Sequence, residues 1–168
     1  MNSGSLFKLL ESDKQAKKIF RGIAWVDSVY NICNFPTSLF NNCSFPASLI
    51  LNTDNYSGPG IHWCAVYFQS EEVCEYFDPF GLPPNIKNSY NFKPNLLKVS
   101  KSIKYNKKQV QALDETTCGH HCAYFLLLRS NNCTFDEILN TYYTDSLLIN
   151  DRVVRNFISQ KLCLLKNG

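Results

Sequence analysis

Residues 111–128, QALDETTCGHHCAYFLLL, change character at Cys118. Before it stand polar, turn-forming residues, Asp114, Glu115, Thr116 and Thr117; after it runs an apolar series through Ala123, Phe125, Leu126 and Leu127. That series reads as a buried helix opening at the cysteine. A hydroxyl of Thr116 or Thr117 is expected to cap it by accepting an unpaired backbone N–H of the first turn. A cysteine there feels the positive end of the helix dipole, which favours thiolate over thiol. Cys118 is the candidate nucleophile. It needs a base, a group that orients the base, and donors for an oxyanion.

The chain of 168 residues reads as one domain, 1–168, with 45% hydrophobic and 18% charged residues. That balance suits a folded globular protein rather than a disordered one. Met1 to Phe20 holds only a short apolar cluster, Leu6, Phe7, Leu9 and Leu10, cut off by Lys14, Lys17 and Lys18. The expectation is a soluble, non-secreted chain with no signal peptide and no membrane partner. Eight cysteines in such a chain read as buried thiols rather than disulfides. No C-x-x-C pair is present, and only His62-x-Cys64 and Cys118-x-x-His121 offer loose metal spacings, so no metal is expected. The net charge of +3 permits nucleic-acid contact without demanding it.

Residues 5–18 carry an amphipathic helical pattern, with Leu6, Leu9 and Leu10 on one face. Ile19 to Tyr30 suggests a bend at Gly22 and a short strand or helical turn. Residues 31–47, rich in Asn and Pro, read as an irregular connection. Ser48 to Asn52 is a short strand. After the breakers Gly58, Pro59 and Gly60, His62 to Phe68 reads as a central strand apolar on both faces. Val73 to Asp78 makes the next strand, ended by Pro79 and Gly81. In an antiparallel pair the start of one strand lies beside the end of its neighbour, so His62 and Asp78 should meet.

Residues 85–97 fit no single element. Leu97 to Gln111 reads as a further strand carrying Lys98, Lys101, Lys104, Lys107 and Lys108. Thr134-x-x-Glu137 is a capping box opening a helix over Phe135 to Tyr142, and a last helix covers about 151–162. The expected fold is α+β: a small mixed, mostly antiparallel sheet flanked by helices, with the nucleophile at a helix N-terminus in a papain-like arrangement.

Three histidines narrow the choice of base. His120 and His121 follow Cys118 too closely to face its sulfur and leave room for a carbonyl. His62, after a Gly-Pro-Gly loop at a strand start, is better placed, and Asp78 can orient its ring. Gln111, seven residues before Cys118, is a neutral amide donor suited to an oxyanion, with the Cys118 N–H as its natural companion.

G-I-H-W at 60–63, Y-F-D-P-F-G at 76–81 and the glutamine-to-cysteine step from Gln111 to Gly119 together resemble the adenovirus-type cysteine proteases (adenain). These are distantly related to the SUMO and ubiquitin-like protein proteases. FRGIAW near residue 20 and LILNTDN before the histidine also match, and the likeness spans about residues 19–128. The resemblance implies Cys118 as nucleophile, His62 as base, Asp78 as its partner where adenain has glutamate, and Gln111 as oxyanion donor. It places Trp63 beside the substrate groove. It implies a viral endopeptidase that cleaves capsid or core precursor polypeptides at glycine-containing sites, in host cytoplasm or nucleus and in the virion. No cofactor is needed for such chemistry, although adenain is stimulated by a viral peptide and by DNA. No cysteine lies between Cys74 and Cys118 to hold a disulfide-linked peptide. The five lysines from Lys98 to Lys108 could meet DNA phosphates, or simply form a solvated strand face. Two other readings stay open: removal of SUMO or ubiquitin-like tails, and an inactive or nucleic-acid-binding module on the same fold.

Overall fold

A five-stranded sheet organises the computed structural model, which describes residues 1–27, 45–58, 60–87 and 89–166. Helices α1 (Ser3–Ser12) and α2 (Ala16–Ile19) lead into β1 (Phe20–Trp25). Strands β2 (Ala47–Asn52), β3 (Trp63–Phe68) and β4 (Val73–Phe77) follow, then the short β5 (Asn85–Ile86) and β6 (Tyr90–Asn91). Helix α3 (Lys93–Leu96) precedes β7 (Ser102–Tyr105). Helices α4 (Cys118–Ser130), α5 (Phe135–Glu137) with a π-helical turn (Ile138–Tyr142), and α6 (Leu147–Lys166) complete the described chain. The expected connection over residues 31–47 falls largely outside the described residues.

The sheet order is β1-β2-β3-β4-β7. Its two inner pairs, β2 with β3 and β3 with β4, are antiparallel; β1 with β2 and β4 with β7 are parallel. The mixed α+β architecture is therefore the expected one, with the antiparallel pairing concentrated at its centre. All six residues of β3 are buried. Trp63, Ala65 and Tyr67 face a core shared with α1, α4 and α6, built on Leu6, Leu9, Phe125, Val154 and Ile158. Cys64, Val66 and Phe68 face a second core with Tyr76, Tyr90, Phe92 and Leu96. This division follows from the period-two alternation of side chains along a strand.

The first helix is shorter than its apolar pattern suggests. Asn2 caps it by accepting from Ser5 N–H at 2.9 Å. Asp13 then breaks it, because its Oδ1 accepts from Gln15 and Ala16 N–H, both at 3.1 Å, and starts a new turn. The lysine-bearing stretch, expected as a strand over Leu97 to Gln111, contributes only the four residues of β7, where it pairs with β4. The Thr134–Glu137 capping box is present in both directions at 3.2 Å. Its helix gives way to the π-helical turn after one turn. Helix α6 opens at Leu147, so Asp151 lies inside it rather than at its start.

Candidate active site

The site is assembled at the ends of three neighbouring elements. The β3–β4 register pairs Ala65 with Phe77, so the residues just beyond, on the His62 side of β3 and the Asp78 side of β4, converge. His62 Nε2–H donates to Asp78 Oδ1 at 2.9 Å. Asp78 is 0% exposed. Its carboxylate also accepts from Phe80 N–H at 2.8 Å, from the Tyr90 hydroxyl at 3.3 Å and from the Cys64 thiol at 3.4 Å. Such a carboxylate is held by donors on both oxygens, which fixes its orientation toward the imidazole.

The Asp78–Gly81 turn does more than end a strand. Phe80 stacks on the His62 ring, with centroids 4.8 Å apart and planes 20° apart. Gly81 closes the turn through its N–H to Asp78 O at 2.8 Å and has φ +72°. A Cβ there would lie 2.9 Å from Lys107 O, so only glycine lets the 107–109 backbone pass this close. Pro79 O then accepts from Val110 N–H at 2.9 Å and Gln111 N–H at 3.1 Å. The turn carrying Asp78 thus anchors Gln111.

Cys118 is the first residue of α4, which packs across β3. With Nε2 of His62 engaged by Asp78, the remaining ring nitrogen, Nδ1, is the one available to the Cys118 thiol, its hydrogen-bonding partner. Burial acts to raise the thiol, but the hydrogen bond and charge of His62, with the backbone N–H groups of Trp63 and Gly119, pull it below its usual range. Burial likewise acts to lower His62, and Asp78 and Cys118 overcome it, raising the imidazole to about 9. Opposite shifts of this kind favour a thiolate–imidazolium pair.

The other histidines are differently placed. Burial lowers His120 to about 4, leaving a neutral ring. His121 is fully buried, with Nε2 2.9 Å from Asp151 Oδ1 and Nδ1 3.2 Å from the Tyr143 hydroxyl. It therefore holds no metal with Cys118. Gln111 is buried, and its Nε2 donates to Glu115 O at 2.6 Å.

Thr117 occupies the cap position of α4 without bonding the helix N–H groups; its hydroxyl donates to Asp151 instead. The expected cap by Thr117 is therefore not formed: its side chain is turned to Asp151 rather than to the first turn of the helix. Trp63 is 8% exposed and packs in the helix-side core, yet it also lines a cleft of about 630 Å³ with Trp25, Asn52, Tyr56 and Gly60. Gly119 makes room for it, since a Cβ at that position would sit 3.3 Å from the Trp63 ring.

His62, Cys64 and Asp78 offer potential ligand atoms within 4.8 Å of one another. The three groups already satisfy one another: Asp78 Oδ1 accepts from His62 and Oδ2 from the Cys64 thiol, whose sulfur accepts from the Tyr76 hydroxyl at 3.0 Å. The set fits a catalytic dyad better than a metal.

The lysine stretch is largely neutralised. Lys101 pairs with Glu72 at 2.5 Å, Lys104 with Asp136 at 2.6 Å and Lys108 with Asp145 at 3.2 Å. Among the described residues, no helix is long and apolar enough to cross a membrane.

The adenovirus endoprotease family matches residues 28–151. The chain belongs to that family. Among curated relatives of this adenovirus endoprotease family member, a cysteine protease of African swine fever virus (Tick/Malawi isolate) is 30% identical over 106 residues. The match covers 57% of this chain and 38% of the relative. The SUMO-1 cysteine protease of the Pig/Kenya isolate of that virus is 29% identical over 106 residues, with the same coverage of 57% and 38%. The chain thus spans 38% of the length of the curated relatives it matches. The central domain of an uncharacterised Legionella pneumophila protein shares the fold, with 17% identity, 100% of this chain and 98% of that one covered, and a TM-score of 0.61.

Several site residues carry little sequence signal. Asn106 sits in the lysine stretch yet is buried and bonded to the Asp78 backbone. Tyr90 lies in the stretch that fits no single element. Phe80 lies within the Y-F-D-P-F-G motif at 76–81, the signal by which it could have been found. Asp151 stands at the last residue of the family match, well beyond the resemblance read from sequence.

Proposed function

We propose that this chain is a cysteine endopeptidase in which Cys118 attacks a peptide carbonyl. The observation that carries the reading is His62 set between Asp78 at 2.9 Å and Cys118, with the thiol lowered and the imidazole raised. His62, as imidazolium, delivers a proton to the leaving amine; as imidazole, it then takes one from the water that hydrolyses the acyl-enzyme. Asp78 keeps the ring in the tautomer with its proton on Nε2. The Gln111 amide has two hydrogens, one given to Glu115 O, and its second serves the oxyanion beside the Cys118 N–H. No cofactor enters this chemistry.

Capsid or core precursor polypeptides cleaved at glycine-containing sites are the proposed substrates. A glycine lacks the side chain that a narrow channel beside the nucleophile would reject. The likeness to the SUMO-1 cysteine protease of African swine fever virus favours a second reading, release of SUMO-like tails. A fluorogenic glycine-containing peptide and a SUMO C-terminal fluorogenic substrate, each tested with wild type and Cys118→Ala, separate these readings. Cleavage of the peptide, lost in Cys118→Ala, supports endopeptidase activity. Preference for the SUMO substrate favours the second reading, and full activity in Cys118→Ala contradicts both.

A further inference from the structure

Four residues of the loop between β7 and α4 are held by three residues of α6, Asn150, Asp151 and Arg155. Asn150 Nδ2 donates to Val110 O at 3.2 Å. Asp151 Oδ2 accepts from Ala112 N–H at 3.0 Å, and Oδ1 from the Thr117 hydroxyl and His121 Nε2–H, the latter at 2.9 Å. Farther along the same face, Arg155 pairs with Glu115. The loop residues held directly by Asp151 are those that follow Gln111 and precede Cys118. Asp151 is 3% exposed, and its carboxylate is satisfied on both oxygens by protein donors.

We propose that Asp151 is a positioning residue of the active site, a buried clamp that sets the separation between the Gln111 amide and the backbone N–H of Cys118. The inference rests on the endopeptidase reading. The two proposed oxyanion donors flank a loop with no regular structure, residues 112–117, within which Leu113 is 80% exposed. An oxyanion site works only if its donors are held before the charge develops, because reorganisation during the reaction forfeits their advantage. One carboxylate bonded to both ends of the loop supplies that hold. His121 fixes the carboxylate in turn: it donates from Nε2 and accepts from the Tyr143 hydroxyl at Nδ1. His62 and Asp78 stand on other elements and do not touch this clamp.

The roles of Asp151 and His62 therefore separate experimentally. Asp151→Ala and the milder Thr117→Val are compared with wild type in peptide cleavage and in Cys118 alkylation at pH 6. The clamp predicts a fall in kcat of about 10- to 100-fold for Asp151→Ala and several-fold for Thr117→Val. KM should stay within about twofold, and alkylation should keep its wild-type rate and pH profile. Combined with Gln111→Ala, Asp151→Ala should add little further loss, since both act on the same oxyanion. Wild-type kcat in both variants, or fully additive losses with Gln111→Ala, would overturn the clamp while leaving the protease reading intact. If Asp151→Ala does not fold, Thr117→Val decides by the same criteria. A wild type that neither cleaves peptides nor alkylates rapidly contradicts the endopeptidase reading, and the clamp with it.

Discussion

Asn106 holds the backbone of Asp78 from both sides: its Oδ1 accepts from Asp78 N–H at 2.8 Å, and its Nδ2 donates to Asp78 O at 2.6 Å. The same amide reaches Lys108 O at 3.0 Å, tying the end of β4 to the strand that leads toward Gln111. Asn106→Ala leaves the buried N–H of Asp78 without its partner, a cost of about 1–3 kcal/mol, while Asp78 O keeps the N–H of Gly81. Urea unfolding should show a loss in that range. Cleavage should fall with it, because Asp78 loses its fixed direction toward His62. Unchanged stability would contradict the burial assigned to this pair.

Asp78→Asn keeps the shape but removes the charge that stabilises protonated His62. The raised pKa of His62, about 9, should drop toward its ordinary value. Cys118 should then lose part of its imidazolium partner near neutrality. Expected results are slower alkylation at pH 6 and a loss of roughly 10²-fold in kcat/KM. Titration of the His62 ring by NMR checks the cause directly: an unmoved midpoint contradicts it.

Arg129 and Glu75 form a buried pair linking α4 to β4, with Nε–Oε2 at 2.6 Å and Nη2–Oε1 at 3.2 Å. The guanidinium also lies 4.0 Å from the Tyr67 ring centroid. Burial raises the Glu75 carboxyl despite Arg129, so taking the pair out of water is costly. Arg129→Met should destabilise by about 3–5 kcal/mol, because Glu75 would be left buried and alone. Adding Glu75→Leu should recover much of that loss. A double variant no more stable than Arg129→Met contradicts this account.

What the sequence disclosed follows physical rules of short range. The His62–Asp78 encounter was legible because antiparallel register places a strand start beside its neighbour's end. Cys118 was legible because polarity changes abruptly at a helix start. The parallel partners β1 and β7 were not, since period-two patterning carries no information about strand direction. Thr117 looked like a cap because a cap needs only a nearby hydroxyl. Its real partner, Asp151, comes from a helix 34 residues along the chain. Asn106 falls in a stretch that reads as a strand among lysines, and only the tertiary approach to Asp78 gives it a role. Long-range polar contacts leave no periodic trace.

The most direct test of the central claim is the pH dependence of Cys118 alkylation in wild type and His62→Ala. The thiol is held low by the imidazolium, whose raised pKa keeps it charged up to about 9. Labelling of wild type should therefore be rapid well below pH ~8.5, the ordinary thiol midpoint. In His62→Ala the positive partner is gone, so the labelling profile should shift up to that midpoint or beyond it. Coincident profiles in the two proteins would contradict the thiolate–imidazolium pair on which the proposed activity rests.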